Sequence, residues 1–99
     1  MMRERFVAEA QAEFLGQIAY YSEARTGLGI RFSQAVEAAV ARVLAFPNSG
    51  TPAPSNTRRV RVRGFPFSVV YRADAGDLTI FAVAHDARRS DYWISRVDP

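Results

Sequence analysis

Arg58-Arg59-Val60-Arg61-Val62-Arg63, followed after Gly64 by Phe65-Pro66-Phe67-Ser68-Val69-Val70-Tyr71-Arg72, is the stretch on which the fold turns. Successive side chains of a β-strand point to opposite faces, so Arg59, Arg61 and Arg63 are expected on one face and Val60 and Val62 on the other. Such a strand joins a core through its valines and displays a row of guanidinium forks, groups suited to phosphate and carboxylate. The expected partner is therefore a nucleic acid or an acidic protein surface. A solvated edge strand, whose charges merely deter aggregation, is the plainer alternative, and four arginines in six positions weigh against it.

Downstream, Leu78-Thr79-Ile80-Phe81-Ala82-Val83-Ala84 is apolar at both parities, which marks a strand covered on both sides. Three strands are predicted, about Arg58–Val62, Phe67–Arg72 and Leu78–His85, separated by Gly64-Phe65-Pro66 and by Asp74-Ala75-Gly76-Asp77. Connections this short favour an antiparallel meander, because a parallel crossover needs roughly a dozen residues or more. Upstream, the segment from Asn48 to Asn56 contains Ser49, Gly50, Pro52, Pro54 and Ser55, and reads as a loop.

The first half has a different period. From Ala8 to about Ala24, Phe14, Leu15, Ile18 and Tyr21 fall on one helical face, with Glu9 and Glu13 near the start, where the helix dipole favours carboxylates. Thr26-Gly27-Leu28-Gly29 breaks this pattern, and a second helix from about Ile30 to Phe46 carries Phe32, Val36, Ala39, Val40, Val43 and Leu44. Pro47 disfavours helical geometry at Phe46 and ends it. Tyr20, Tyr21 and Phe32 are expected in the core, and Arg5-Phe6-Val7 is a short candidate first strand. The predicted class is α+β: an N-terminal strand and a helical hairpin packed on a twisted antiparallel sheet of three to four strands, one domain over residues 1–99.

Composition narrows the function. No apolar run approaches the ~20 residues that cross a bilayer, and Met1-Met2-Arg3-Glu4-Arg5 leads into folded-looking sequence without a signal peptide's apolar region, so the expected location is the cytoplasm. Without cysteine there is no disulfide or thiolate metal site, and one histidine makes no zinc constellation. No phosphate-cradling glycine loop, nucleophile elbow or paired-carboxylate motif occurs, so no cofactor is expected. The formal net charge of +3 belongs to residues 51–99, which carry eight arginines against five aspartates, whereas residues 1–50 balance five arginines against five glutamates.

Polar and aromatic groups collect after the last strand, in His85-Asp86-Ala87-Arg88-Arg89-Ser90-Asp91-Tyr92-Trp93-Ile94-Ser95-Arg96. A histidine beside arginines is able to serve as general acid or base on a ribose hydroxyl, while the arginines stabilise phosphate charge. The plainer reading of His85 is a hydrogen-bonded structural group. Trp93 reads as a lid on the core or as a stacking platform, and Arg88 and Arg89 as phosphate or carboxylate contacts or as solvated charges.

Taken in order, the pieces resemble the RelE/ParE superfamily of toxins from type II toxin–antitoxin systems over nearly the whole chain, and they sit closer to the ParE-like branch. They are Ala12-Glu13-Phe14-Leu15 with Ile18-Ala19-Tyr20-Tyr21, then Gly27-Leu28-Gly29, then Phe46-Pro47-Asn48-Ser49-Gly50. Arg58-Arg59 follows, then Gly64-Phe65-Pro66-Phe67 with Val69-Val70-Tyr71-Arg72, and Ala82-Val83-Ala84-His85 with Arg88-Arg89 and Tyr92-Trp93. The resemblance implies a small fold in which a helical hairpin packs on a twisted antiparallel sheet. It also implies an antitoxin partner, with a toxin–antitoxin hetero-oligomer as the assembly.

RelE-like members are ribosome-dependent endonucleases that cut mRNA, whereas ParE-like members poison DNA gyrase. The nuclease pattern is matched by Arg59 and Arg61, but Ser68 stands where it places an arginine, and His85-Asp86-Ala87-Arg88 looks more ParE-like. The resemblance thus implies a gyrase inhibitor neutralised by an antitoxin. Arg58, Arg59, Arg61, Arg63, Arg88, Arg89, Trp93 and Arg96 are then candidate contacts to target or antitoxin. The alternatives are an mRNA endoribonuclease with the ribosome and mRNA as partners, using Arg59, Arg61, His85, Arg88 and Tyr92, or a non-toxic binding relative.

Overall fold

The computed structural model describes residues 2–99. Its elements in chain order are β1 (Arg3–Phe6), α1 (Ala8–Ala24), α2 (Leu28–Ala45), β2 (Thr51–Ala53), β3 (Thr57–Val62), β4 (Phe67–Asp74) and β5 (Asp77–His85), followed by a 3-10 turn over Ile94–Arg96. The expected meander is present: β3, β4 and β5 pair antiparallel in succession. The sheet is nevertheless larger than expected, with five strands in the order β1-β5-β4-β3-β2, and it is mixed, because β1 runs parallel to β5. The α1–α2 hairpin and the meander separate these two strands in sequence, which is ample length for a parallel return. Part of the expected Asn48–Asn56 loop forms β2, which pairs antiparallel with β3. An edge strand bonds on one side only, so it accommodates Pro52.

The α1 boundaries are those read from the periodicity, and α2 begins two residues earlier than expected. Gly27 takes the left-handed conformation (φ 82°) as the N-cap of α2, so one glycine turns the chain and the helix starts at Leu28. Gly29 then sits where a Cβ would lie 2.6 Å from the Ile18 carbonyl oxygen, so its bare backbone lets the two helices close on each other. The apolar face of α1 is rotated slightly from the expected one: Ala10 is buried, while Leu15 is 54% and Tyr20 64% exposed. Leu15 directly follows Phe14 and is carried about 100° round the helix from it, and Tyr20 is likewise displaced from Tyr21.

Alternation along the strands divides the interior into two clusters. On the helix side, Phe32, Val36, Ala39 and Val43 of α2 pack with Val62, Val69, Tyr71 and Ile80 of the sheet. On the other side, Val70, Phe81, Ala82 and Ala84 are covered by Trp93 and Val97 from the C-terminal segment. The alternation slips once, because Tyr71 pairs with Ile80 whereas Val70 pairs with Ala82. Phe81 is the surplus residue of a β-bulge, so Phe81 and Ala82 both serve the second cluster, and Val83 returns to the helix side. Among the described residues no helix is long and apolar enough to cross a membrane.

Candidate partner-binding surface

The sheet puts Arg59 and Arg61 on the face away from the helices, opposite in parity to Val60 and Val62, as the alternation of β3 predicts. Arg61 pairs across to Ser68, and Asp86 completes the group: Arg61 Nη1 donates to Asp86 Oδ2 at 3.2 Å and Ser68 Oγ donates to Asp86 Oδ1 at 3.1 Å. A polar cleft of about 400 Å³ opens here, lined by Ser49, Thr51, Arg59, Arg61, Ser68 and Asp86. Arg59 is half-buried, its Nη2 is 3.4 Å from the Ser90 carbonyl oxygen, and its Nε is buried without a protein partner. A guanidinium held this way still has donors to offer an anion.

A second basic group lies where α2 meets β3. Arg42 Nη2 donates to the Arg61 carbonyl oxygen at 2.7 Å. Desolvation, and after it repulsion from the nearby Arg63 guanidinium, pushes the Arg42 pKa below its ordinary value. Arg63 itself is exposed. The pattern of α2 offered no reason to single out Arg42, because its role depends on where β3 ends.

The third group is the most tightly built, and its centre escaped the sequence reading. Glu13 of α1 reaches the edge of β5 beyond the end of β1 and accepts from the Val83 N–H at 3.0 Å. Arg96 meets it with both nitrogens, Nη1 on Oε1 at 3.0 Å and Nη2 on Oε2 at 2.9 Å, and also donates to the Phe81 carbonyl oxygen at 2.9 Å. Glu13 and Arg96 thereby satisfy backbone groups of β5 that have no strand partner there. The Tyr92 hydroxyl donates to Oε2 at 2.7 Å. Burial first, then this hydrogen bond and the Glu13 charge, push the Tyr92 pKa up to about 12 against the opposing pull of Arg96 and Arg88. For Arg96, burial works to lower the pKa, yet the bond and charge of Glu13 prevail and raise it. Arg88 lies over the Tyr92 ring, 3.6 Å from its centroid, with Nη1 at 3.7 Å from Glu13 Oε2. Glu13 and Arg96 are separated by 83 residues in sequence, and no local pattern announces such a pair.

His85 ends β5 on the helix side, its ring edge-on to Phe67 at 5.0 Å between centroids. Its Nδ1 accepts the Ala87 N–H at 2.9 Å, which leaves the proton of the neutral ring on Nε2. His85 and Arg88 line a groove against Ala12, Gly16 and Gln17 of α1, whereas Arg59 and Arg61 line the cleft on the opposite face. The nuclease set of the alternative reading is divided: His85 and Arg88 share one groove, Arg59 and Arg61 line the cleft on the opposite face, and Tyr92 is bound to Glu13.

Over residues 5–90 the sequence matches the ParE toxin family of type II toxin–antitoxin systems, parDE. The chain belongs to this family. A solved structure described as a chromosomal ParDE toxin–antitoxin system from P. aeruginosa is similar in fold, with a TM-score of 0.70 at 20% identity over 86% of this chain and 96% of that one. No curated protein matches the sequence.

Within this ParE-family fold, several candidate contacts are redirected inward. Trp93 is fully buried and covers the second cluster, so it cannot serve as an outward contact. Arg96 is engaged by Glu13, with only 14% of its side chain exposed. Arg58 shares the parity of Val60 and donates to the Gly50 carbonyl oxygen at 2.8 Å. What stays open is Arg61, Arg63, Arg88 and Arg89, all exposed, whereas Arg59 is half-buried with its Nε closed to solvent. Arg89 has Asp91 beside it at 3.0 Å, a surface pair that a competing carboxylate can displace.

Proposed function

We propose that this chain is a toxin that acts by binding, not by cutting RNA, with DNA gyrase as its cytoplasmic target and a cognate antitoxin as its neutralising partner in a hetero-oligomer. The observation that carries the reading is the separation of His85 from Arg59 and Arg61 by the thickness of the sheet. General acid–base chemistry on a phosphodiester needs the proton carrier within hydrogen-bond reach of the reacting atoms that the guanidinium groups polarise. Here Arg59 and Arg61 open on one face of the sheet and the imidazole on the other, and Asp86 sits against Arg61. Membership of the ParE toxin family supports the same choice. Arg61, Arg63, Arg88 and Arg89 are the contacts proposed for gyrase or for an acidic part of the antitoxin.

Purified protein in excess over gyrase, incubated with relaxed plasmid and ATP, should block supercoiling or trap cleaved DNA. The same preparation should leave transcripts intact in a translating extract. Undisturbed supercoiling would overturn the gyrase target, and discrete transcript cuts weakened by Arg61→Ala would establish the endoribonuclease instead.

A further inference from the structure

At the edge of the sheet farthest from the arginine-rich strand, β1 leaves its outer side unpaired. The Arg3 N–H donates to the Gly76 carbonyl oxygen at 2.9 Å and the Val7 N–H to the Ile80 carbonyl oxygen at 3.0 Å, so the odd-numbered residues face β5. The N–H and C=O groups of Glu4 and Phe6 consequently point outward. Immediately beside them is a slot of about 290 Å³ floored by Phe6, Phe14, Val36, Val40 and Leu44. Phe6 stacks on Phe14 at 5.7 Å, which fixes one wall. Val36 and Val40 are core residues, so the slot reaches the interior and is more than a dent in the surface. Glu4 and Glu37 stand at its rim, exposed and without an ion pair or side-chain hydrogen bond among the described residues, in a chain whose net charge is +3.

We propose that this edge receives an extended segment of a partner protein that adds a strand to β1, places an apolar side chain in the slot and brings Lys or Arg to Glu4 and Glu37. Strand addition supplies main-chain bonds and leaves specificity to the alternate side chains. Here the positions that face the slot, every second residue of the added strand, meet one apolar pocket and two carboxylates, a pattern that selects an apolar and a basic side chain two residues apart and rejects acidic ones in their place. A second copy of this chain is a poor occupant. Two-fold antiparallel pairing of β1 centred on Glu4 or on Arg5 sets like charges directly opposite, and pairing centred on Phe6 runs into α1 at Ala8. The proposal rests on the preceding reading only in assigning the segment to the antitoxin. That partner then carries two chemistries: acidic groups for the arginines, and for this edge a strand with apolar and basic side chains on one face.

The test uses a labelled peptide of repeating Thr-Leu-Thr-Arg, which sets Leu and Arg on one face, and its Leu/Glu counterpart with Glu in place of Arg, titrated against the full chain by fluorescence anisotropy. The expected result is binding of the Leu/Arg peptide at least 10-fold tighter than the Leu/Glu peptide, about 1.4 kcal/mol or more. Glu4→Arg with Glu37→Arg should weaken it about 10-fold, and Ala41→Trp, which fills the slot from its exposed rim, should abolish it. Amide exchange should slow at Glu4 and Phe6 in the complex. No binding up to about 1 mM peptide, or binding that leaves these two amides and the variants unchanged, overturns the proposal. The antitoxin reading is tested separately, by whether co-expression of a short reading frame found beside the gene rescues growth. Rescue that the Glu4→Arg/Glu37→Arg chain retains undiminished keeps the antitoxin and removes this surface. Failure of rescue with intact peptide binding does the reverse.

Discussion

The two faces of the sheet are closed by different means. Toward the helices, burial is spread over α1, α2 and the inward residues of the strands, with Phe32 ringed by Phe14, Tyr21, Phe65 and Phe67 at 5.1–6.3 Å between centroids. On the far face one indole, Trp93, and Val97 cover a small patch, and the segment carrying them is fastened by Glu13, Arg96 and Tyr92. Redundant packing tolerates loss of one member better than a single lid does. The far face is also where Arg59 and Arg61 are displayed, so a thin, polar closure accompanies the open chemistry.

That contrast can be broken most directly at the lid. Trp93→Ala should destabilise the fold by about 4 kcal/mol, read as a drop in urea midpoint by circular dichroism. A loss below about 1 kcal/mol would mean that the indole is not what holds the far face. Glu13→Ala comes next, at about 3 kcal/mol, because it strands a largely buried Arg96 guanidinium and the Val83 N–H. Glu13→Gln, which keeps an acceptor for Val83 and Tyr92, should cost less than the alanine variant; equal losses would deny the charge any role.

Alkaline titration probes the same fastening more gently. Tyr92 ionises near 10 when unfolded but at about 12 in the fold, so the stability it contributes is whole below pH 10 and is lost as pH rises toward 12. The urea midpoint should fall more steeply over this window in the parent chain than in Tyr92→Phe. Tyr21, also raised by burial, is common to both chains and cancels in the comparison. The smallest effect is expected at the open chemistry: Arg61→Ala should change stability by less than about 0.5 kcal/mol, since its pair with Asp86 is largely exposed.

These expectations also mark how far the sequence could be read. The helices, the meander and the division of Val60 and Val62 from Arg59 and Arg61 were legible, because each follows from periodicity or short connections. The parallel pairing of β1 was not, since Arg3–Phe6 is too short to show a period and its partner β5 lies at the far end of the chain. Nor was β2, whose prolines read as loop but sit at an edge. Of the candidate site, Arg61, Arg63 and Arg88 are displayed as their positions suggested. Trp93 is the lid on the core that one of its readings made it, not the outward contact of the other, and Arg96 was misdirected because its burial is decided by Phe81 and Glu13, remote in sequence.

The bulge at Phe81 has a meaning for how this chain could change over generations. Deleting that one residue would restore strict alternation by letting Ala82 take its place on the far face, and Val83, Ala84 and His85 would keep the faces they have. A single codon lost at the bulge would thus leave the imidazole across the sheet from Arg61. In this sheet the bulge is a spare position, one triplet that descent could remove without exchanging the groups that share a face.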